Sequence, residues 1–226
     1  MRLAVLFSGG KDSAYALMKA AEHDKVVCLV SIISKNPESF MYHTPNINLT
    51  KLQAEAAGIP LITKHTLGEK ETELDDLEEA LREAKQKYKV EGVVTGAIES
   101  VYQATRVQRI CDKLELWCFN PLWKKNQVEL LNELLENNFK IIIAGVFASG
   151  LDESWLGREL DKKTIAELVN LQNKIGISPS GEGGELETSV LDAPFFKKKI
   201  EIIKSEKKYS KNSGVFIIND ARLAKK

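Results

Sequence analysis

An α/β fold, with a parallel sheet followed by a smaller C-terminal α/β domain, is what this sequence predicts. Three observations carry that expectation. The chain opens on an apolar run from Leu3 to Phe7 that passes through Ser8-Gly9-Gly10-Lys11-Asp12-Ser13 into Ala14, Ala16, Leu17, Ala20 and Ala21 at helical spacing. Strand-like and helix-like stretches then alternate to about residue 120, as a parallel sheet with right-handed crossovers requires. Beyond residue 175 the pattern turns to glycine-rich loop and strands. At 226 residues, one large or two modest domains fit, and either can bury a core.

Residues 26–33 are apolar and β-branched, fit for a strand buried on both faces. A loop over 34–48 holds two prolines and the group Phe40-Met41-Tyr42-His43-Thr44. A helix over 49–57 stops at Gly58, and 60–64 reads as a short strand. Residues 69–88 form a charged amphipathic helix with Leu74, Leu77, Leu81 and Ala84 inward and the pairs Glu78–Arg82 and Glu83–Lys87 on its wet face. A strand over 92–95, a polar loop and a helix from about 102 to 114 follow. The stretch 117–123, containing Asn120-Pro121-Leu122-Trp123, reads as a boundary or hinge, which gives domains 1–121 and 122–226. In the second, helix 127–138, strand 140–147 and helix 163–174 keep the α/β pattern, 187–191 is a strand, and 199–205 with 214–219 is a terminal hairpin.

Composition narrows the function. A net charge of zero leaves no global basic footprint for nucleic acid or a membrane surface. No apolar run reaches the length of a membrane span and no signal peptide precedes the first strand, so a cytoplasmic protein is expected. Cys28, Cys111 and Cys118 are too few and too scattered for a disulfide framework, and Cys111 and Cys118 lack metal-ligand spacing. They read as small buried hydrophobes in a reducing compartment.

The first stretch carries chemistry. A strand that turns through two glycines into a helix N-terminus is an anion site, because the first helical N–H groups lack intrahelical partners and the macrodipole adds positive charge. Gly9 and Gly10 let backbone curl around a phosphate, Lys11 offers a mobile cation, and Asp12 has the chemistry to hold a magnesium ion. The spacing is neither that of a Walker A loop nor that of the dinucleotide fingerprint. It resembles the SGGxDS loop of the PP-loop ATP pyrophosphatases, which cleave ATP between the α and β phosphates. That resemblance implies a Rossmann-like sheet of the adenine nucleotide alpha hydrolase type, with Ser8, Gly9, Gly10, Lys11, Asp12 and Ser13 on the nucleotide.

Two further segments add to it. In Thr95-Gly96-Ala97-Ile98-Glu99-Ser100-Val101-Tyr102-Gln103-Ala104-Thr105-Arg106, a glycine at a strand end suits close approach to ribose or an adenylate. Tyr102, Arg106 and Arg109 share a helix face, the arginines suited to a phosphate or a carboxylate, or forming a solvated basic face. Gly181-Glu182-Gly183-Gly184-Glu185-Leu186-Glu187-Thr188 sets three carboxylates beside glycines at the start of a strand, where Glu185 and Glu187 are expected on one face. Such a pair could bind a cation, take up magnesium, or accept a proton from incoming ammonium.

With Met41-Tyr42-His43-Thr44 and Asn120-Pro121-Leu122-Trp123, these motifs occur in an order that resembles the diphthine–ammonia ligase family, over about residues 1–195. The resemblance is to its compact archaeal form, and its departures, at Ala97 and Leu186, are minor. It implies ATP-dependent adenylation of the diphthine carboxylate on translation elongation factor 2, then displacement of AMP by ammonia. ATP and magnesium would be the cofactors. Catalysis would fall to Lys11, Asp12, Glu185 and Glu187; Gly96, Ala97 and His43 would join the glycine loop around the nucleotide. Glu99, Ser100, Tyr102, Gln103, Arg106, Glu182, Gly183, Gly184, Glu185 and Thr188 would face the substrate, the late glutamates with Tyr102 or a tryptophan meeting its quaternary ammonium. His43 closes over adenine, lines the substrate site or is an ordinary loop histidine. Free ammonium is the expected nitrogen source, since 226 residues leave no room for a glutaminase domain. A tRNA-modifying enzyme using the same adenylation is the first alternative, against which stand the missing CxxC and the zero net charge. A non-catalytic ATP or AMP sensor is the second, and it has no need of Asp12 or the acidic segment.

Overall fold

The computed structural model describes residues 1–34, 45–67 and 72–226. Its first sheet contains β1 (Arg2–Leu6), β2 (Lys25–Ser34), β3 (Leu61–Thr66), β4 (Gly92–Val94) and β5 (Trp117–Phe119) in the order β3-β2-β1-β4-β5. Every neighbouring pair is parallel. The order reverses at β1, so the loops after β1 and β4 open onto one crevice, the usual ligand position in such sheets.

Helices cover both faces, which explains the unbroken apolar strands. Successive side chains of β1 alternate between two cores. Leu3, Val5 and Phe7 enter the core that includes α1 (Lys11–Ala21) and residues of the second sheet, while Ala4 enters the core built on α3 (Thr72–Tyr88) and α4 (Val101–Lys113). The inward stripe read from the sequence of α3 is present, with Leu77, Leu81 and Ala84 fully buried. α2 (Thr50–Ala57) stops where expected, at Gly58, which adopts the left-handed conformation with φ 68°.

The stretch 117–123 does not begin as a hinge. Trp117–Phe119 is the edge strand of the parallel sheet, with Gly92 opposite Trp117, and the chain turns only after Asn120. A three-residue strand is too short to show periodicity.

The second sheet joins β6 (Lys140–Val146), β7 (Leu186–Asp192), β8 (Lys199–Ser210) and β9 (Ser213–Ala224) in the order β7-β6-β9-β8, antiparallel throughout. α5 (Gln127–Glu136) and α6 (Lys162–Ile175) accompany it. The hairpin is longer than the sequence suggested. β8 and β9 run 12 residues each around Lys211 and Asn212, both at positive φ as a tight hairpin turn needs. Lysines masked β8, because it is the edge strand, where charge blocks further pairing.

The two sheets share a core in which Leu3, Val5 and Phe7 cluster with Leu131, Ile141 and Val190. Tyr15 of α1 meets Phe139 edge to face at 5.9 Å between ring centres and donates its hydroxyl to Glu133 of α5. Among the described residues, no helix is long and apolar enough to cross a membrane. Cys28 and Cys111 are buried, Cys118 is half-buried, and all three are free thiols.

Candidate active site

A cavity of about 380 Å³ opens at the carboxyl ends of β1 and β4. Three segments distant in sequence give it its polar lining, the glycine loop after β1, the turn after β4 running into α4, and residues 181–188 leading into β7, while Val30 and Ile32 of β2, Ile47 and Leu77 add apolar surface.

The glycine loop is held from both sides. Gly9, at φ +79°, has a carbonyl that accepts the Val190 N–H at 3.0 Å and the Gln53 side-chain amide at 2.8 Å. Lys11 N–H donates to Thr188 Oγ1 at 3.1 Å, so Thr188 braces the loop instead of standing free for a substrate. Ser13 Oγ donates to the Gly10 carbonyl at 3.1 Å and lies 3.2 Å from Ser8 Oγ. α1 follows Gly10, which has no side chain to cap it; Thr188 takes the Lys11 N–H, and the next N–H groups of the first turn are the ones an anion can meet. A Cβ on Gly9 would lie 2.2 Å from Gln53 Oε1 and would force a side chain into the left-handed region. Gly9→Ala is therefore expected to lower ATP turnover by about 100-fold and to cost about 2 kcal/mol of stability, read by AMP release and chemical denaturation.

Lys11 is not a mobile cation in this structure. It is 3% exposed, and its Nζ donates to the Ser180 carbonyl at 2.5 Å and pairs with Asp12 Oδ2 at 2.8 Å. Gln127, at the start of α5, fixes that loop by accepting from Ser178 Oγ at 2.5 Å and Ser180 Oγ at 2.8 Å. Asp12 keeps its other oxygen, Oδ1, enclosed and without a hydrogen-bond partner among the described residues. An unpartnered hard oxygen on a cavity wall fits Mg²⁺, which takes one or two carboxylates and completes its shell with phosphate and water. No group of three metal-ligating side chains occurs among the described residues, so an ion there would draw on such outside oxygens.

Gly96 and Ala97 line the cavity. The reason for glycine is backbone packing, since a Cβ on Gly96 would sit 2.8 Å from both Asp12 C and Ser13 N. Glu99 and Ser100 turn their backbone N–H groups to Glu182 Oε1, each at 2.9 Å, so Glu182 ties the late loop to the start of α4. Burial raises the Glu182 carboxyl pKa; the two N–H groups oppose the rise and the Asp12 charge adds to it. On α4 the cavity face is Ser100, Gln103 and Val107. Tyr102 and Arg106 are not part of that lining; they stack on each other with the guanidinium carbon 3.4 Å from the ring centre, and Arg109 is exposed.

Glu185 and Glu187 do not form a facing pair. Strand β7 begins at Leu186, and Glu185 lies in the preceding turn, accepting Ser178 N–H at 2.8 Å while its Oε2 is buried without a hydrogen-bond partner among the described residues. Gly183 is folded tightly over it, since a Cβ there would come within 2.6 Å of Glu185 Oε1. Glu187 alone lines the cavity, beside Gly183 and Gly184. Burial pushes its carboxyl up to about 7; Lys11 restrains the rise and Asp12 reinforces it. The folded protein thus holds a proton on Glu187 that the unfolded chain releases at lower pH. That contribution is fully present below the ordinary carboxylate pKa and is lost as pH rises through about 7. Ligand-free Glu187→Gln should therefore melt above the wild type at pH 8, with the gap closing by pH 4, as scanning calorimetry would show.

His43, with the rest of the Met41–Thr44 group, lies outside the described residues. Sequence reasoning missed Gln53 and Gln127. Gln53 left a trace, a long polar side chain at inward spacing with Thr50, Ala54 and Ala56 on α2. Gln127 left none.

Residues 1–117 match the sequence profile described as diphthamide synthase N-terminal domain, and residues 126–224 the one described as diphthamide synthase C-terminal domain. The chain is 40% identical to diphthine–ammonia ligase of Bos taurus over 227 residues, covering 91% of this chain and 84% of that one. Identity to the Homo sapiens diphthine–ammonia ligase is 39%, with the same coverage. Among solved structures, a predicted subunit of tRNA methyltransferase from Methanocaldococcus jannaschii superposes with a TM-score of 0.43 at 16% identity, covering 85% of this chain and 97% of that one.

Proposed function

The chain belongs to the diphthamide synthase family, and we infer that its reaction, ATP-dependent amidation of diphthine to diphthamide, runs in the cavity between the glycine loop and β7. The observation that supports this placement most is that Asp12, with an oxygen unpartnered among the described residues, and Glu187 line one cavity together with the glycine turn that starts α1.

The reaction divides into two displacements. A carboxylate oxygen of diphthine attacks the α-phosphorus of ATP, and the bond to the bridging oxygen breaks to release pyrophosphate. Ammonia nitrogen then attacks the acyl carbon, loses a proton, and AMP leaves with the electron pair of the former acyl–oxygen bond. The glycine loop and the N-terminus of α1 suit the charge that accumulates on pyrophosphate. Asp12 would hold Mg²⁺ through Oδ1, and the ion would supply charge neutralisation on the phosphates. Glu187 would take the ammonium proton. Glu182 and Glu187 give the cavity an acidic wall for a trimethylammonium group; the Tyr102 ring already carries Arg106.

Elongation factor 2 is the proposed carrier of diphthine, free ammonium the nitrogen source, and the cytoplasm the location, in keeping with three unpaired thiols. Domain limits of 1–121 and 122–226 stand as a proposal, supported by the change from parallel to antiparallel sheet between β5 and β6.

The test measures AMP and pyrophosphate release from ATP with Mg²⁺ and ammonium, with and without elongation factor 2 bearing diphthine. Release that depends on that protein, with amidation seen by mass spectrometry, is the expected result. Release that ignores it but responds to tRNA would replace this reading with the modifying enzyme. Tight ATP binding without AMP would leave a sensor.

A further inference from the structure

Gln53 is the most enclosed polar side chain against the glycine loop, with no exposed surface. It comes from α2, a helix distant in sequence from the loop it reaches. Its amide nitrogen donates to two carbonyls at once, Gly9 at 2.8 Å and Val190 at 2.8 Å. Val190 N–H returns to the same Gly9 carbonyl at 3.0 Å. The three groups close a ring that joins α2, the glycine loop and β7. The Gln53 carbonyl oxygen, Oε1, is buried with no hydrogen-bond partner among the described residues, and it fills the space under Gly9 that a Cβ would take.

Leaving a buried amide oxygen unsatisfied carries a desolvation cost, so packing alone does not account for glutamine at this position. A leucine or methionine would fill the volume without that cost. What only an amide supplies here is two donors in one plane, one for the loop and one for the strand. The consequence concerns spacing. Gly9 lies next to the loop amides suited to pyrophosphate, and Val190 lies three residues from Glu187 on β7. A rigid link between Gly9 and Val190 therefore sets how far the phosphate end of the cavity stands from the carboxylate wall. Thr188, one residue past Glu187, makes the parallel contact to Lys11 N–H.

We propose that Gln53 is a positioning residue: its side-chain amide holds the glycine loop and the Glu187-bearing strand in one fixed register for the reaction. This rests on the reading of the cavity as the ligase site. Reactions that depend on near-contact alignment lose rate steeply with small displacements, while equilibrium binding of a large nucleotide does not. The variant to make is Gln53→Met, of similar length and volume but with no donor. Its expected signature is a kcat for AMP formation reduced about 30-fold, with ATP affinity by equilibrium dialysis within about threefold of wild type. Amide hydrogen exchange should rise in the peptides covering residues 8–13 and 186–192 and nowhere else in the shared core.

A merely structural glutamine would lower the melting temperature and leave kcat per folded molecule unchanged below it, and that outcome would overturn the proposal. Should the wild-type protein form no AMP with its diphthine substrate, the ligase reading fails, and the exchange experiment decides on Gln53 by itself. Faster exchange confined to the two peptides would then support the link, and unchanged exchange would refute it.

Discussion

An Asp12→Asn protein is expected to fold, to bind ATP within several-fold of wild type, and to lose about 1,000-fold or more of its AMP-forming turnover. The change is nearly isosteric, so shape is kept and charge is lost. Two consequences follow from the contacts. Oδ1, the enclosed oxygen without a partner, becomes a neutral and weaker donor for a hard cation. Lys11, almost fully buried, keeps the Ser180 carbonyl but loses its paired anion. Lys11 is buried although Asp12 is part-exposed, so removing the anion leaves a buried charge with less compensation, and a modestly lower melting temperature should accompany the loss of turnover. The two effects separate in a magnesium titration. If Asp12 holds the ion, the Mg²⁺ concentration for half-maximal rate should rise in the variant while the wild type stays saturated. Turnover that falls with no change in magnesium requirement would move Asp12 from metal binding to the support of Lys11. Unchanged turnover would remove it from the reaction.

The parts of this fold that were legible in its sequence are those in which local pattern and tertiary environment agree. β1, α1, β2 and α3 have apolar spacing that matches what each buries, and Gly58 ends α2 for the backbone reason its position suggested. The glycine loop was legible because strand, turn and helix start follow one another directly. Elements whose character depends on distant partners were harder. β5 is recognisable only by its pairing with β4, and β8 looks polar because it is the edge strand of its sheet. In the site, types of residue were legible and directions were not. Glu185 and Glu187 were expected on one face, and a strand start one residue later turned Glu185 into its own loop. Tyr102 and Arg106 do share a helix stripe, and they use it on each other while the neighbouring stripe of Ser100, Gln103 and Val107 meets the cavity. Lys11 was read as mobile because the carbonyl it binds lies 169 positions away in sequence. Gln53 and Gln127 also act through distant partners, 137 and 53 positions away, so their roles could not be read locally even where, as for Gln53, the inward position could.

Replacing Glu187 with Gln should divide the reaction at its midpoint. Pyrophosphate exchange into ATP, driven by the diphthine carboxylate, is expected to stay within about fivefold of wild type, while amide formation falls about 1,000-fold, the scale of a lost general base. The reasoning starts from ammonium, which cannot attack an acyl carbon until it gives up a proton. Of the two carboxylates at the start of β7, Glu185 is committed to Ser178 N–H inside its own loop, and Glu187 faces the cavity. Thr188 and Val190, just past Glu187, tie the strand backbone to the glycine loop, so the backbone that carries Glu187 is fixed against the phosphate end of the cavity. Adenylation requires no proton transfer to this group, which is why that half should survive. Hydroxylamine makes the assignment sharper, because it is largely neutral near pH 7 and needs no base to become a nucleophile. In Glu187→Gln it should restore product, as the hydroxamate, to near the wild-type rate. Glu185→Gln, by contrast, should lower thermal stability and leave the ratio of exchange to amidation unchanged. If exchange and amidation fall together in Glu187→Gln and hydroxylamine restores neither, Glu187 acts before the acyl adenylate forms, and the proton must be taken by another group.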